Sequence, residues 1–231
     1  MNPPALDRES HHRWLLELTQ IPTAAGKERR VIDWVRRWAA ERPAFVIVED
    51  PAGNLTIQFG DVLRGRVPAS GPPIYFTAHM DHPAFVVDRI LAPGVLQLGF
   101  RGGVMDDYFD QARITVHTRD GARVAATLTG KADSERPAFP AYLAETDAAA
   151  DGVSVGDVAT WELPEAEIRD GLLHTSACDD LAALAAALAA FDVLRIKAEA
   201  GETVPDTRVL LTRAEEIGFI GAIAACREKT M

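Results

Sequence analysis

Between residues 85 and 162 the sequence runs as short β-type segments: Phe85-Val86-Val87, Val95-Leu96-Gln97-Leu98, Ala112-Arg113-Ile114-Thr115-Val116 and Arg123-Val124-Ala125-Ala126-Thr127-Leu128. Gly, Pro and Asp turns separate them. Long helical patterns are absent from this block and present on both sides of it. Such a block, about 80 residues long, does not fit the helix and strand alternation around it, and it predicts a small β-barrel or sandwich inserted into an α/β domain. The expected division is 1–84 for the first part of the α/β domain, 85–165 for the insert and 166–231 for the second part. Pro137 and Pro140 argue for a loop over 138–150, with its alanine-rich tail a mobile or disordered tip.

The flanks carry the α/β patterns. Over 10–19, Trp14, Leu15 and Leu18 fall on one helical face, and Ile21-Pro22 ends it. After Gly26, Val31, Trp34, Val35 and Trp38 mark a second helix. Its tryptophans read as core and Arg29, Arg30, Arg36 and Arg37 as a solvated face. Strands over 45–48 and 55–57 are joined by the turn Asp50-Pro51-Ala52-Gly53-Asn54, where Pro presets one dihedral and Gly or Asn accepts positive φ.

A third strand leaves the Gly71-Pro72-Pro73 turn and runs straight into His79-Met80-Asp81. Side chains alternate along a strand, so His79 and Asp81 are expected on one side, the carboxylate behind the imidazole and fixing its tautomer. Taken alone, such a triplet is more often a surface pair or a satisfied core histidine than a metal ligand. Asp179-Asp180 enters a helix whose stripe is Leu181, Leu184, Leu188 and Phe191; either aspartate could be a helix cap or a ligand. The strand over 207–212 ends in Glu215-Glu216, a solvated loop or a second pair of donors, and a helix follows over 220–227. All three carboxylate-bearing ends are expected on the carboxyl edge of one α/β sheet, the edge at which such sheets bind ligands. Imidazole and carboxylates converging there suit zinc, cobalt or manganese, and a pair of metals needs one bridging carboxylate, for which Asp179 is the natural choice.

The formal charge of −10 argues against nucleic acid as a partner and favours cationic or amine-bearing ligands. No window approaches the ~20 apolar residues of a membrane span, and the N-terminus lacks an apolar run after a basic start. Two cysteines without a C-x-x-C pair fit a reducing, cytoplasmic setting. Cys178 is expected to be a buried spectator, His82 to lie at the surface or behind the site, and His11, His12, His117 and His174 to be structural. A glycosidase is disfavoured, because Glu215 and Glu216 are chain neighbours whereas such enzymes set two carboxyls roughly 5 to 9.5 Å apart across a sugar.

His79-Met80-Asp81, Cys178-Asp179-Asp180 and Ala214-Glu215-Glu216-Ile217-Gly218-Phe219-Ile220-Gly221-Ala222 resemble the metal-site motifs of the dizinc aminopeptidases. The match is to glutamyl aminopeptidases and tetrahedral (TET) aminopeptidases, some labelled endoglucanases. The resemblance extends to the Gly53-Asn54 turn, Gly102-Gly103-Val104, and Val155-Gly156-Asp157-Val158 before Trp161. The insert lies between His79 and Asp179, as in the TET-like family; in related carboxypeptidases and deacylases it follows the glutamate pair.

The resemblance implies an α/β fold with a zinc-peptidase-type mixed sheet flanked by helices, carrying an inserted β domain that mediates homo-oligomerisation. It implies peptide substrates and two divalent metal ions, zinc or cobalt first and manganese next. His79 would ligate one ion, Asp179 bridge both and Glu216 ligate the other, with Asp81 orienting His79 and Glu215 acting as general base toward a water of lowered pKa. It also implies a cis bond between Asp179 and Asp180. The family takes two further ligands, an aspartate and a histidine, from later strands that this sequence does not reach. The chain is therefore expected to lack the family's C-terminal part, with a weakened metal site, little peptidase activity and an uncovered sheet edge. The alternatives are a metal-dependent carboxypeptidase or N-acyl amino acid deacylase, and a non-catalytic assembly or binding module.

Overall fold

The tryptophan stripes and the strand alternation close onto a single apolar layer. In the computed structural model, which describes residues 7–67, 71–133, 139–147, 150 and 152–228, helix α1 is Arg8–Leu18 and helix α2 is Arg29–Ala40. Asp7 caps α1, its Oδ1 accepting the Ser10 N–H at 3.0 Å. Strands β1 (Phe45–Glu49) and β2 (Leu55–Phe59) form the expected hairpin, and Gly53 at φ +82° supplies its turn. The predicted third strand is β3 (Ile74–His79).

The chain then leaves the sheet for six antiparallel strands: β4 (Ala84–Ala92), β5 (Val95–Arg101), β6 (Arg113–His117), β7 (Arg123–Ala132), β8 (Ala141–Thr146) and β9 (Val158–Trp161). Their order β4-β5-β8-β7-β6-β9 closes on itself, so the insert is a barrel and not a sandwich. Its interior is a separate core around Phe85, Leu98, Phe100, Phe109, Ile114 and Leu128. One expectation fails here. The loop read over 138–150 contains strand β8 over 141–146, which pairs with both β5 and β7. Pro140 lies just outside the strand, where it needs no N–H and its carbonyl accepts from Phe100 at 2.8 Å, while Tyr142 and Ala144 point into the barrel core. Residue 138 of that loop and residues 148 and 149 of the expected mobile tip lie outside the described residues.

A short hairpin of β10 (Glu167–Arg169) and β11 (Leu172–His174), with no counterpart in the sequence reading, leads back to a π-type turn over Cys178–Ala182 and helix α3 (Ala183–Glu199). Strand β12 (Thr207–Thr212) and helix α4 (Ile220–Glu228) follow. The sheet order is β1-β2-β12-β3, with β12 antiparallel to β2 and parallel to β3: the mixed sheet expected. Trp14, Val35, Trp38, Leu184, Leu188 and Phe191 from α1, α2 and α3 pack on Phe45, Leu55, Ile57, Val209 and Leu211 of the sheet. Among the described residues no helix is long and apolar enough to cross a membrane.

The arginine face of α2 is less uniform than its pattern suggests. Arg29 pairs with Asp33 and is exposed, whereas Arg30 reaches the barrel and donates from Nη2 to the carbonyls of His117 (3.0 Å) and Thr118 (2.8 Å).

Candidate metal centre

The parallel pairing of β3 with β12 ends with His79 opposite Thr212, so both strands run out at the same edge. The Met80 N–H continues the ladder to the Thr212 carbonyl at 2.9 Å, and the Thr23 hydroxyl donates to the Met80 carbonyl at 2.9 Å. Past β12 the chain turns at Ala214, a non-glycine residue at φ +53°. That turn takes Glu215 and Glu216 out of strand alternation, and both aim at His79. One ligand atom from each of His79, Glu215 and Glu216 lies within 4.8 Å of the others.

The turn is held by a fully buried carboxylate that the sequence reading did not single out. Glu28, just before α2, accepts from the Ala214 N–H (3.0 Å), from Arg213 Nε (2.9 Å) and Nη2 (2.7 Å), and from the Gly26 N–H (2.7 Å). Asn54 works beside it: its Oδ1 accepts the Arg213 N–H at 3.0 Å, and its Nδ2 donates to Asp50 and to the Gly221 carbonyl. Spacing gives no sign of Glu28; being an acidic residue at the start of a strongly amphipathic helix, it reads as an ordinary first-turn charge.

Asp81 is fully buried, and its carboxylate does something other than expected. Its two oxygens accept the backbone N–H groups of Glu215 and Glu216, each at 3.0 Å. The strand ends at His79, so alternation no longer sets the direction of Asp81. The nearest group to His79 Nδ1 is the Asp81 carbonyl at 3.0 Å, with the carboxylate at 3.6 Å. A carbonyl can only accept, so Nδ1 carries hydrogen, and it is on Nε2 that loss of the ring's other proton to an incoming cation would leave the lone pair. Nε2 faces Asp179 Oδ1 at 3.0 Å and Glu215 Oε2 at 3.7 Å.

Neither member of the aspartate pair caps a helix through its side chain. The bond between them is cis, as the resemblance implied. Asp180 accepts the His79 backbone N–H at 3.0 Å. Asp179, with an 83% exposed side chain, touches His79 and stays outside the three-residue donor group. His82 is not a free surface residue; its Nδ1 lies 2.7 Å from the Asp179 carbonyl oxygen. Cys178 is exposed and not buried, because its neighbour Ala177 takes the inward position.

Electrostatics make this a cation-seeking site. Burial alone would lower the His79 pKa, but Asp81, Asp180 and Glu215 outweigh it and raise it to about 9. Burial and the neighbouring Glu215, Asp81 and Asp179 charges push Glu216 up to about 7. Burial would raise Asp81, and the His79 ring and the two amide donors lower it instead. Among the described residues no lysine or arginine forms an ion pair with Asp179, Glu215 or Glu216. An imidazole nitrogen and carboxylate oxygens converging without a cationic side chain fit a divalent metal of the zinc, cobalt or manganese kind.

Fold and site together define a mixed α/β sheet flanked by helices, with an inserted barrel and a group of candidate metal donors at the sheet edge. Residues 62–137, about a third of the chain, match the family model of M42 glutamyl aminopeptidase. The solved structures agree on the fold. The TET aminopeptidase from the marine sediment archaeon Thaumarchaeota archaeon SCGC AB-539-E09 superposes with a TM-score of 0.71 at 21% identity, over 96% of this chain and 63% of that one. Aminopeptidase APDkam598 from the archaeon Desulfurococcus kamchatkensis gives 0.67 at 22%, over 95% and 60%. The Pyrococcus horikoshii TET1 peptidase, described as assembling into a tetrahedron or a large octahedral shell, gives 0.65 at 21%, over 93% and 64%. The chain thus spans under two thirds of the length of these relatives. No curated protein matches its sequence.

Proposed function

We propose that this chain is the metal-binding portion of a cytoplasmic, metal-dependent aminopeptidase that releases N-terminal residues from peptides. The observation that carries the reading is the convergence of His79, Glu215 and Glu216 at the shared edge of β3 and β12, within the fold of the TET aminopeptidases. His79 would ligate one ion through Nε2, Glu216 the other, and Asp179 would bridge them once its exposed side chain turns inward from His79. Bound divalent ions would supply Lewis acidity toward the scissile carbonyl and acidify a water.

The chain's own groups supply the rest. Asp81 fixes the direction of the glutamate turn through two amide hydrogen bonds, and its carbonyl fixes the His79 tautomer. Glu215, whose Oε2 stands 3.7 Å from Nε2, would accept the proton of the attacking water as the new C–O bond forms. It then returns that proton to the amine nitrogen as the C–N bond breaks. Homo-oligomerisation through the barrel belongs to the same reading, supported by exposed Ile90, Leu91, Met105 and Tyr108 on the barrel and its entry.

Isothermal titration of the chain with zinc and cobalt tests the centre, and turnover of aminoacyl-p-nitroanilides by the cobalt-loaded chain, against hydrolysis of N-acyl and C-terminal substrates, tests the reaction. Weak but saturable metal binding lost in His79→Ala, with the low turnover of the wild-type chain lost in Glu215→Gln, is expected. Wild-type chain that takes up neither metal would remove the reading.

A further inference from the structure

A second cavity, of about 370 Å³, lies where the barrel meets α2 and the segment after α1, and the proposed reaction makes no use of it. We propose that it is a binding site for a small oxyanion, a carboxylate or a phosphate, gripped between the guanidinium groups of Arg30 and Arg123. Arg30 is anchored by its two hydrogen bonds to barrel carbonyls, which orient its charge without neutralising it. Arg123 opens β7 directly opposite His117 of β6. Neither arginine has a carboxylate partner among the described residues, in a chain whose net charge is −10. The adjacent groove shows the contrast: Arg29 pairs with Asp33, Arg36 with Glu49, Arg119 with Asp157 and Arg213 with Glu28.

The wall between the two cations is polar and neutral. His117 Nε2 lies 2.9 Å from the Thr160 hydroxyl, and burial together with the Arg30 and Arg123 charges pulls its pKa down to about 4, so near neutral pH it adds no charge. Glu165 is the one carboxylate among the lining residues. An anchored guanidinium on Arg30 and an exposed, unpaired one on Arg123 therefore share with a single carboxylate the lining of a pocket large enough for a small ligand, and the planar fork of arginine matches carboxylate and phosphate oxygens in pairs. Past Trp161 and Ser176 the cavity meets a smaller one that reaches His82, the residue against the Asp179 carbonyl. The oxyanion site thus lies behind a wall of the metal centre, and its existence does not depend on the peptidase reading.

Titration of the metal-free chain with inorganic phosphate and, separately, with glutarate, followed by calorimetry and by the ring-proton resonances of His117, tests the site. The expected result is one saturable site, a shift of the His117 resonances, and at least a tenfold loss of affinity in Arg123→Met. Arg119→Met, which removes a nearby but ion-paired arginine, should bind as wild type does. Binding of phosphate alone identifies a phosphate ligand and of glutarate alone a carboxylate ligand, and either result supports the site. Absence of saturable binding for both, or equal affinity in wild type and Arg123→Met with unchanged melting temperatures, would overturn it.

Discussion

His79 and Thr212 face each other as the last register pair of the parallel β3–β12 ladder. Because both strands end on the same rung, the Glu215-Glu216 turn begins level with the imidazole, and a one-residue slip would carry His79 to the other face. The ladder sets the height of the site; buried carboxylates set its direction.

Asp81→Asn replaces a two-oxygen acceptor with one oxygen and an amide donor, so one of the Glu215 and Glu216 N–H groups loses its partner. The expected cost is about 1–3 kcal/mol in urea unfolding, with a 10–100-fold loss of zinc affinity. A variant that unfolds and binds zinc like wild type would remove Asp81 from the frame of the site.

Glu28→Gln should destabilise the fold by about 2–4 kcal/mol. That is below or within the range for breaking a fully buried pair, because Arg213 keeps a side chain 30% exposed and recovers some solvation. Gln offers one acceptor oxygen where Glu28 uses two, so either the Ala214 N–H or the Arg213 guanidinium loses its acceptor, and metal binding should weaken. Denaturant midpoints and zinc calorimetry on one sample read both effects.

Gly221→Ala is expected to be disproportionately harmful for a single methyl. A Cβ there would stand 2.4 Å from Asn54 Oδ1 and 2.5 Å from the Arg213 carbonyl oxygen, where the backbone has no room to yield. A loss of about 1–3 kcal/mol or more should appear as a lowered melting temperature. Gly65→Ala, with open space around it, is the control.

His117 gives a pH signature separate from the metal centre. Burial, then the Arg30 and Arg123 charges, hold its folded pKa to about 4, while the unfolded imidazole titrates near ~6.5. Between those values the unfolded state binds the extra proton. Stability is therefore fully present above ~6.5 and falls as pH drops toward about 4, by up to ~3 kcal/mol. In His117→Asn that part of the acid slope should vanish; equal slopes in both proteins would assign it to other groups.

Much of this was readable from the residues because periodicity reports burial. The helices carrying Trp14, Trp38 and Leu184, the strand into His79 and four strands of the barrel all stand where their patterns put them. Strand β8 was missed because Pro137 and Pro140 precede it in the sequence and signal a turn, and the β10–β11 hairpin because three-residue strands carry too few alternations to register. At the site, residue types on strand ends were legible and their hydrogen-bond partners were not. Nothing in the spacing says that Glu28, 186 positions before Ala214, would hold that residue's N–H, or that the Asp81 carboxylate would prefer two amides to the imidazole.

Asn54 ties three places together: the tip of the β1–β2 hairpin through Asp50, the end of β12 through Arg213, and the start of α4 through Gly221. A peptide edge remote in sequence from every proposed ligand is thereby clamped to the bend that presents two of them. Lengthening or softening that hairpin tip would act like loosening a hinge pin: the glutamates would keep their chemistry and lose their aim.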